Sequence, residues 1–412
     1  MKLYYLNNCR LPTEKANGHQ IMNMCAAFSK IGVNTCLVYP FRLQGDQSLQ
    51  VSPFAYYNVD ESFALEMITR FDWLRYATNL NRRLHRTGAR IQMLYFAFAV
   101  LAYTQPHWEN PANVFYSRDR FCILALLLFR NFIKGKIAFE AHAFPERRRN
   151  IVVKMLKRLD KLICTTAQMK KMFIESGMDE RAVIVEHDAV DLQKFNISES
   201  STECRKMLGL PVNRKIIGYV GRFQTMGMEK GIPELISSMK YLVDGAPENP
   251  PLLLCVGGPL TGVSGYWEIA REKGVSRQHL KFVDRIPSNE VPFWIKACDV
   301  MTMIFPWNRH MAYYASPMKL FEYMAVGTPI VASNLPSTKE ILRHDVNALL
   351  VEPHNIEAIA LCIQEILYNG DRARCLARQA WEDVQSHTWH ARARRIMSSL
   401  DGASSAWKAQ PA

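Results

Sequence analysis

Short apolar runs separated by longer stretches of mixed character recur along the chain, and their spacing predicts alternating strands and helices. Residues 2–7 read as a strand, followed by a loop rich in turn and polar residues at 8–17. From 18 to 31 the apolar residues Ile21, Met24, Cys25 and Phe28 fall at helical spacing, and Gly32 ends that helix. Residues 34–39 form the next strand, closed by Pro40, which completes one βαβ unit. Segments 114–116, 136–140, 161–165 and 182–186 continue the strand series. After a polar linker at 198–203 a second series begins, with strands at 215–220, 252–256, 280–283, 300–304, 330–332 and 348–351. A helix begins across 231–239 in this series.

Alternation of this kind argues for parallel sheets covered on both faces. The expected fold class is α/β, with two Rossmann-like domains at 1–200 and 201–385. Residues 386–412 are expected to form a helix returning to the N-terminal domain, plus a tail. Ligands bind at the carboxyl ends of strands in such sheets, and two sheets in tandem predict a cleft between them.

Composition adds limits. The 412 residues suit two domains of roughly 200 residues each. A net charge of +13 favours polyanions: nucleotide diphosphates, nucleic acid or an anionic membrane leaflet. No recognition-helix, RNA-binding or zinc module accompanies the charge, which speaks against nucleic acid. Ten cysteines are scattered without Cys-x-x-Cys spacing, mostly inside apolar runs, as buried thiols of a reducing, cytoplasmic compartment would be. The first residues lack the apolar core and cleavage site of a signal peptide. The apolar stretches 91–103 and 121–129 are too short to cross a bilayer. Between 61 and 101, Arg70, Arg75, Arg82, Arg83, Arg86 and Arg90 interleave with Phe71, Trp73, Leu74, Tyr76, Leu80 and Leu84. That mixture fits a basic amphipathic helix pair lying on a membrane surface, and equally an ordinary solvated helix face.

Four segments carry candidate chemistry. In 316–333, Ser316 reads as an N-cap, Pro317 as the first helical residue, and Leu320, Phe321 and Met324 as an apolar face, with Gly327 ending the helix. Such a helix start offers backbone N–H groups and a positive dipole end to an anion, and Lys319 adds a cation. Glu322 can accept hydrogen bonds from a ribose diol; the bland alternative is a solvated surface glutamate. Secondly, a strand ending in Gly221-Arg222, then Lys230 at a helix start, delivers two cations able to neutralise a departing nucleoside diphosphate. Thirdly, Glu140-Ala141-His142 places an imidazole at a strand's carboxyl edge, with Glu140 either facing an acceptor or orienting the loop. The run 146–149 that follows faces an anionic acceptor, lipid headgroups or water. Fourthly, in the loop 13–20, Gly18 allows close approach of backbone to a ligand beside Asn17 and His19. No Gly-x-Gly-x-x-Gly follows the first strand.

The 316–333 segment resembles the signature of glycosyltransferase family 4, retaining enzymes of GT-B fold, matching Ser-Pro-x-Lys-Leu-Phe-Glu-Tyr-Met-Ala-x-Gly-x-Pro-Ile-Val-Ala-Ser. The resemblance implies that Ser316, Pro317, Met318, Lys319 and Leu320 hold a donor diphosphate and that Glu322 binds the nucleotide ribose. It implies catalytic roles for Arg222 and Lys230, a His142 that touches the donor sugar, and base contacts at Arg285 and Ile286. Asn17 and Gly18 then lie against acceptor and diphosphate, and Asp188 lines the cleft. Many members carry a further glutamate where this chain has Tyr314, which leaves the contacts to the sugar hydroxyls open. The implied reaction is metal-independent transfer, with retention, from a UDP- or GDP-linked sugar to a glycan or lipid-linked acceptor. Its setting would be cell-surface polysaccharide or glycoconjugate synthesis, in the cytoplasm or peripherally on an anionic membrane. No Asp-x-Asp metal motif is visible. The alternatives are a nucleotide-sugar epimerase of the same fold and a non-catalytic nucleotide-sugar-binding protein.

Overall fold

Every strand of the two large sheets is short, and most are buried along nearly their whole length, as parallel strands covered by helices on both faces must be. The computed structural model describes residues 1–43, 50–72, 82–147, 149–225 and 227–401. The chain divides into two units, Met1–His187 with the C-terminal segment from Trp389, and Asp188–Thr388.

In the first unit seven parallel strands are ordered β3-β2-β1-β4-β5-β6-β7. They are β1 (Lys2–Leu6), β2 (Asn34–Tyr39), β3 (Ala64–Met67), β4 (Val114–Ser117), β5 (Lys136–Ala141), β6 (Lys161–Cys164) and β7 (Val183–Val185). Helix α1 (Ala16–Lys30) links β1 to β2 and buries Ile21, Met24, Cys25 and Phe28, the residues that its periodicity singles out. The strand order reverses between β1 and β4, so the carboxyl ends of these two strands form the switch point of the sheet.

Among the described residues, the basic stretch 61–101 holds one strand and one helix. Ala64–Met67 adds to the sheet as edge strand β3, in register with Cys36–Tyr39 of β2. One long helix, α2 (Arg82–Thr104), follows; residues 73–81, and with them Trp73, Leu74, Arg75, Tyr76 and Leu80, lie outside the described residues. Ala64–Met67 shows neither an apolar run nor a clean alternation, so only its pairing with β2 makes it a strand.

The second unit holds six parallel strands in the order β12-β11-β8-β13-β14-β15. These are β8 (Ile216–Val220), β11 (Leu252–Val256), β12 (Leu280–Val283), β13 (Val300–Met303), β14 (Ile330–Ser333) and β15 (Leu349–Val351). A separate two-residue antiparallel pair, β9 (Gln224–Thr225) with β10 (Met228–Glu229), folds the loop after β8. Alternation along β11 serves two cores at once. Leu253 and Cys255 pack with helix α3 (Ile232–Asp244), while Leu254 and Val256 pack with helix α4 (Met318–Val326). Here too the order reverses between the first strand of the sheet and its fourth, β8 and β13.

The chain enters the second unit at Asp188 and not at the polar linker near 200, because Val190 forms a bridge to Thr388 and its amide bonds the His387 carbonyl at 3.0 Å. Helix α5 (Trp389–Asp401) then returns to pack on α1 of the first unit, burying Ala393, Ile396, Met397 and Leu400. The tail 402–412 lies outside the described residues.

Candidate functional site

In the second unit the sequence-singled cations meet at the switch point. Gly221, directly after β8, has no room for a side chain: a Cβ there would occupy the volume of the Lys319 stem. Lys319 therefore crosses the backbone of Gly221, and its lowered pKa is caused by burial and by the neighbouring Arg222, against the opposing pull of Glu322. Glu322 is pushed upward by burial, which outweighs Lys319. Lys230 completes the group. Its ammonium stands 4.9 Å from the centroid of the Phe305 ring, just beyond β13, and 3.9 Å from the Met311 sulfur. Burial, then Lys319, brings its pKa down to about 8. Three cations and one carboxylate thus share the carboxyl edge of β8 and β13. Burial lowers the proton affinity of both lysines, and a neighbouring cation lowers each further.

Helix α4 presents this edge with its N-terminus, but one residue later than the sequence suggests. Pro317, with φ −77° and ψ 119°, occupies the cap position, and the helix begins at Met318. Ser316 is consequently too early to cap; its hydroxyl accepts from the Asp188 amide at 2.8 Å. Leu320 faces the core, and Tyr323, fully buried, bonds both the N–H and the carbonyl of Val220 through its hydroxyl, at 3.0 and 2.9 Å. The helix is thereby fixed against the strand that carries Gly221 and Arg222. Asp284 accepts from the Arg285 amide at 2.8 Å, and Ile286 is half-buried against the core beneath α4. Tyr314 is buried, with its hydroxyl taking a hydrogen bond from Arg309 at 3.1 Å. The loop 223–229 closes through β9 and β10, with Tyr266 donating to Glu229 at 2.8 Å; Met226 lies outside the described residues.

In the first unit His142 follows β5 and Arg118 follows β4, both next to the switch point. Glu140 does not face an acceptor: it is fully buried and receives hydrogen bonds from Gln20, Tyr116, His142 and Arg392. Gly18 also departs from expectation. It lies inside α1, and the space its missing Cβ leaves is filled by the Tyr57 hydroxyl, which bonds both the amide and the carbonyl of Thr13, at 2.7 and 2.8 Å. Asn17 is half-exposed, and its Oδ1 has no hydrogen-bond partner among the described residues. In the run 146–149, Arg147 and Arg149 are exposed and Arg148 lies outside the described residues.

Tyr57, Gln20, Tyr116 and Arg392 have no special place in a sequence reading of the chemistry. For Arg392 one signal exists: it shares the helical stripe of Ala393, Ile396, Met397 and Leu400, where a charge is out of place.

Two Rossmann-like units, with the last helix returned to the first, define an α/β protein of GT-B fold. Solved structures agree. The chain is similar to HepE of Anabaena in complex with UDP and glucose, with TM-score 0.69, 16% identity and coverage of 97% of this chain and 99% of that one. Sucrose-phosphate synthase of Thermosynechococcus elongatus is similar with TM-score 0.73 and 19% identity, over 98% and 100% of the chains. Residues 200–383 match the family described as Glycosyl transferases group 1. Among curated proteins, the D-inositol 3-phosphate glycosyltransferase of Corynebacterium urealyticum is 28% identical over 62% of this chain, and that of Thermobispora bispora 26% over 58%. The chain spans 60% and 54% of the lengths of these relatives.

Proposed function

We propose that the chain is a retaining glycosyltransferase that moves a sugar from a nucleoside-diphosphate donor to a hydroxyl acceptor. The observation that carries this reading is the convergence of Arg222, Lys230 and Lys319 with Glu322 around Gly221. A departing nucleoside diphosphate gains negative charge as the glycosidic bond breaks. Cations already held in place stabilise that charge without reorganising. Arg222 and Lys230 serve the diphosphate directly, and the α4 start from Ser316 to Leu320 adds Lys319 and backbone N–H groups. Glu322 accepts from the ribose diol, and Arg285 and Ile286 lie at the base.

With this cationic group on the leaving diphosphate, the reaction is proposed to run without a divalent metal. Among the described residues no carboxylate is assigned as a nucleophile, which favours front-side attack with retention over a covalent intermediate. The complex of HepE with UDP supports uridine as the base. Asn17 and His142 are assigned to the acceptor and transferred sugar, with Glu140 and Gly18 supporting them from within. Asp188 is assigned to the acceptor side as well.

The acceptor class proposed is a glycan or lipid-linked hydroxyl, in polysaccharide or glycoconjugate synthesis; the curated relatives are named for inositol 3-phosphate. A cytoplasmic site of action, peripheral to an anionic membrane, fits ten unpaired thiols and an exposed basic and apolar helix face in the first unit.

Calorimetric titration with UDP and GDP, each in the presence of a chelator, tests the donor site. Micromolar binding of UDP that disappears in Glu322→Ala is expected. Absence of binding by either nucleotide would refute the reading.

A further inference from the structure

Helix α5 carries a buried arginine into the first unit, and the reaction outlined above makes no use of it. Arg392 is 0% exposed. It donates from Nε to the His187 carbonyl at 2.8 Å, from Nη2 to the Glu186 carbonyl at 3.2 Å, and from Nη1 to Glu140 Oε2 at 3.1 Å. Docking of the helix does not call for this charge, since Ala393, Ile396, Met397 and Leu400 already bury an apolar stripe. Burying an ion pair has a desolvation cost that apolar side chains at the same place would avoid. The pair therefore serves something other than attachment.

What it serves lies on the far side of Glu140. Burial pushes the Glu140 carboxyl up, but Arg392, with His142 and Arg118, outweighs burial and holds it well below the usual carboxylate range. An ionised carboxylate only accepts hydrogen bonds. His142 Nε2 lies 2.7 Å from Glu140 Oε1, so that nitrogen carries the proton and Nδ1 keeps its lone pair. The ring, about a quarter exposed, is then an acceptor for a hydroxyl and not a donor to an oxygen.

We infer that Arg392 is a positioning residue: through Glu140 it fixes the His142 imidazole and leaves Nδ1 to receive a hydrogen bond from a substrate hydroxyl. The inference rests on the reading of His142 as a residue that meets the transferred sugar or the acceptor.

The groups that set the charge state here come from several elements. Glu140 extends from β5, Arg118 follows β4, and Arg392 comes from α5; the phenols of Tyr5 and Tyr116 are pushed up by burial and stay neutral. Burial and Arg118 bring His142 down to about 4, against the pull of Glu140. Without Arg392, Glu140 loses a counter-cation and His142 a like charge, and the pair holds a proton at higher pH, whichever member carries it.

Nitrogen-15 spectra of the histidine side chains, with His142→Ala identifying the signal, read the tautomer in the wild-type protein. A neutral ring protonated on Nε2 from pH 5 to 8 is expected. In Arg392→Met the pair should take up its proton about one pH unit or more higher. The acid limb of kcat should move with it while the donor KM stays within about twofold, and Arg392→Lys should restore most of the wild-type profile. A wild-type ring protonated on Nδ1, or titrating near the ordinary histidine value, overturns the inference even if Arg392→Met does not fold. So does an Arg392→Met protein whose titration and acid limb are unmoved. If the wild-type spectrum is as expected but His142→Ala turns over normally, the reading of His142 is what fails, and the inference falls with it.

Discussion

Lys230 is the residue whose surroundings set the clearest condition on ligand binding. Its ammonium faces the Phe305 ring and the Met311 sulfur, neither of which replaces water or a counter-ion, and its pKa of about 8 follows from that burial and from Lys319. In the proposed site a bound diphosphate would bring negative charge to Lys230 and raise its proton affinity. Above pH 8 the complex therefore holds more protons than the nucleotide-free protein, so affinity falls as pH rises from there toward the ordinary lysine range. Titrations with UDP at pH 9 in buffers of different ionisation enthalpy should give buffer-dependent heats, and Lys230→Arg should reduce the dependence. Buffer-independent heats at pH 9 from the wild type would contradict this assignment. Lys230, Lys319 and Glu322 are visible in the sequence because each sits at a helix start or one turn into a helix, where position alone suggests chemistry. Tyr57 is not, and Arg392 shows only as a charge in an apolar stripe, because their partners lie 44 and 252 residues away and are brought to them only by folding.

At the level of elements, the placement of α4 depends on one hydroxyl. Tyr323 donates to and accepts from Val220 at the end of β8, two residues before Arg222. Tyr323→Phe leaves a buried N–H and a buried carbonyl without that partner, a loss of about 1–3 kcal/mol. The expected result is a lower urea midpoint with an unchanged m-value, together with weaker UDP binding as Gly221 and Arg222 loosen. Unchanged stability would show that water replaces the hydroxyl there. The helix itself is legible from its pattern: Leu320, Phe321 and Met324 are all buried, and Gly327 ends it in the left-handed region at φ 72°. Its first residue is less so, because Pro317 satisfies both a cap and a first-turn position, and only the backbone angles decide between them. β3 was illegible for another reason. Its four residues, Ala64-Leu65-Glu66-Met67, suit a helix as well as a strand, and only pairing with β2 decides.

For the whole molecule, the net charge of +13 has a spatial counterpart in the first unit. Helix α2 exposes Ile91, Leu94 and Phe98 along one face, with Leu94 at 60% and Phe98 at 70%, and it packs beside the helix Arg120–Leu128, which exposes Phe121 and Leu128. Arg120 stands over the Phe121 ring at 5.6 Å, and Arg90, Arg147 and Arg149 are exposed. Among the described residues no helix is long and apolar enough to cross a membrane. Apolar side chains among arginines suit attachment to an anionic bilayer surface. Sedimentation with phosphatidylglycerol vesicles should carry the protein down at low salt. Phosphatidylcholine vesicles should not, and Leu94→Glu with Phe98→Glu should weaken binding about tenfold or more. Equal sedimentation of the double variant would place the attachment elsewhere. The return of α5 has a consequence in time as well as in space. A ribosome makes Glu140 long before Arg392, and at about 5–20 residues per second the intervening 252 residues take roughly 13–50 seconds. Through that interval the nascent first half carries a carboxylate whose arginine partner has not been synthesised, while the second half can close on itself. The part of the protein that is made first is the part that is finished last.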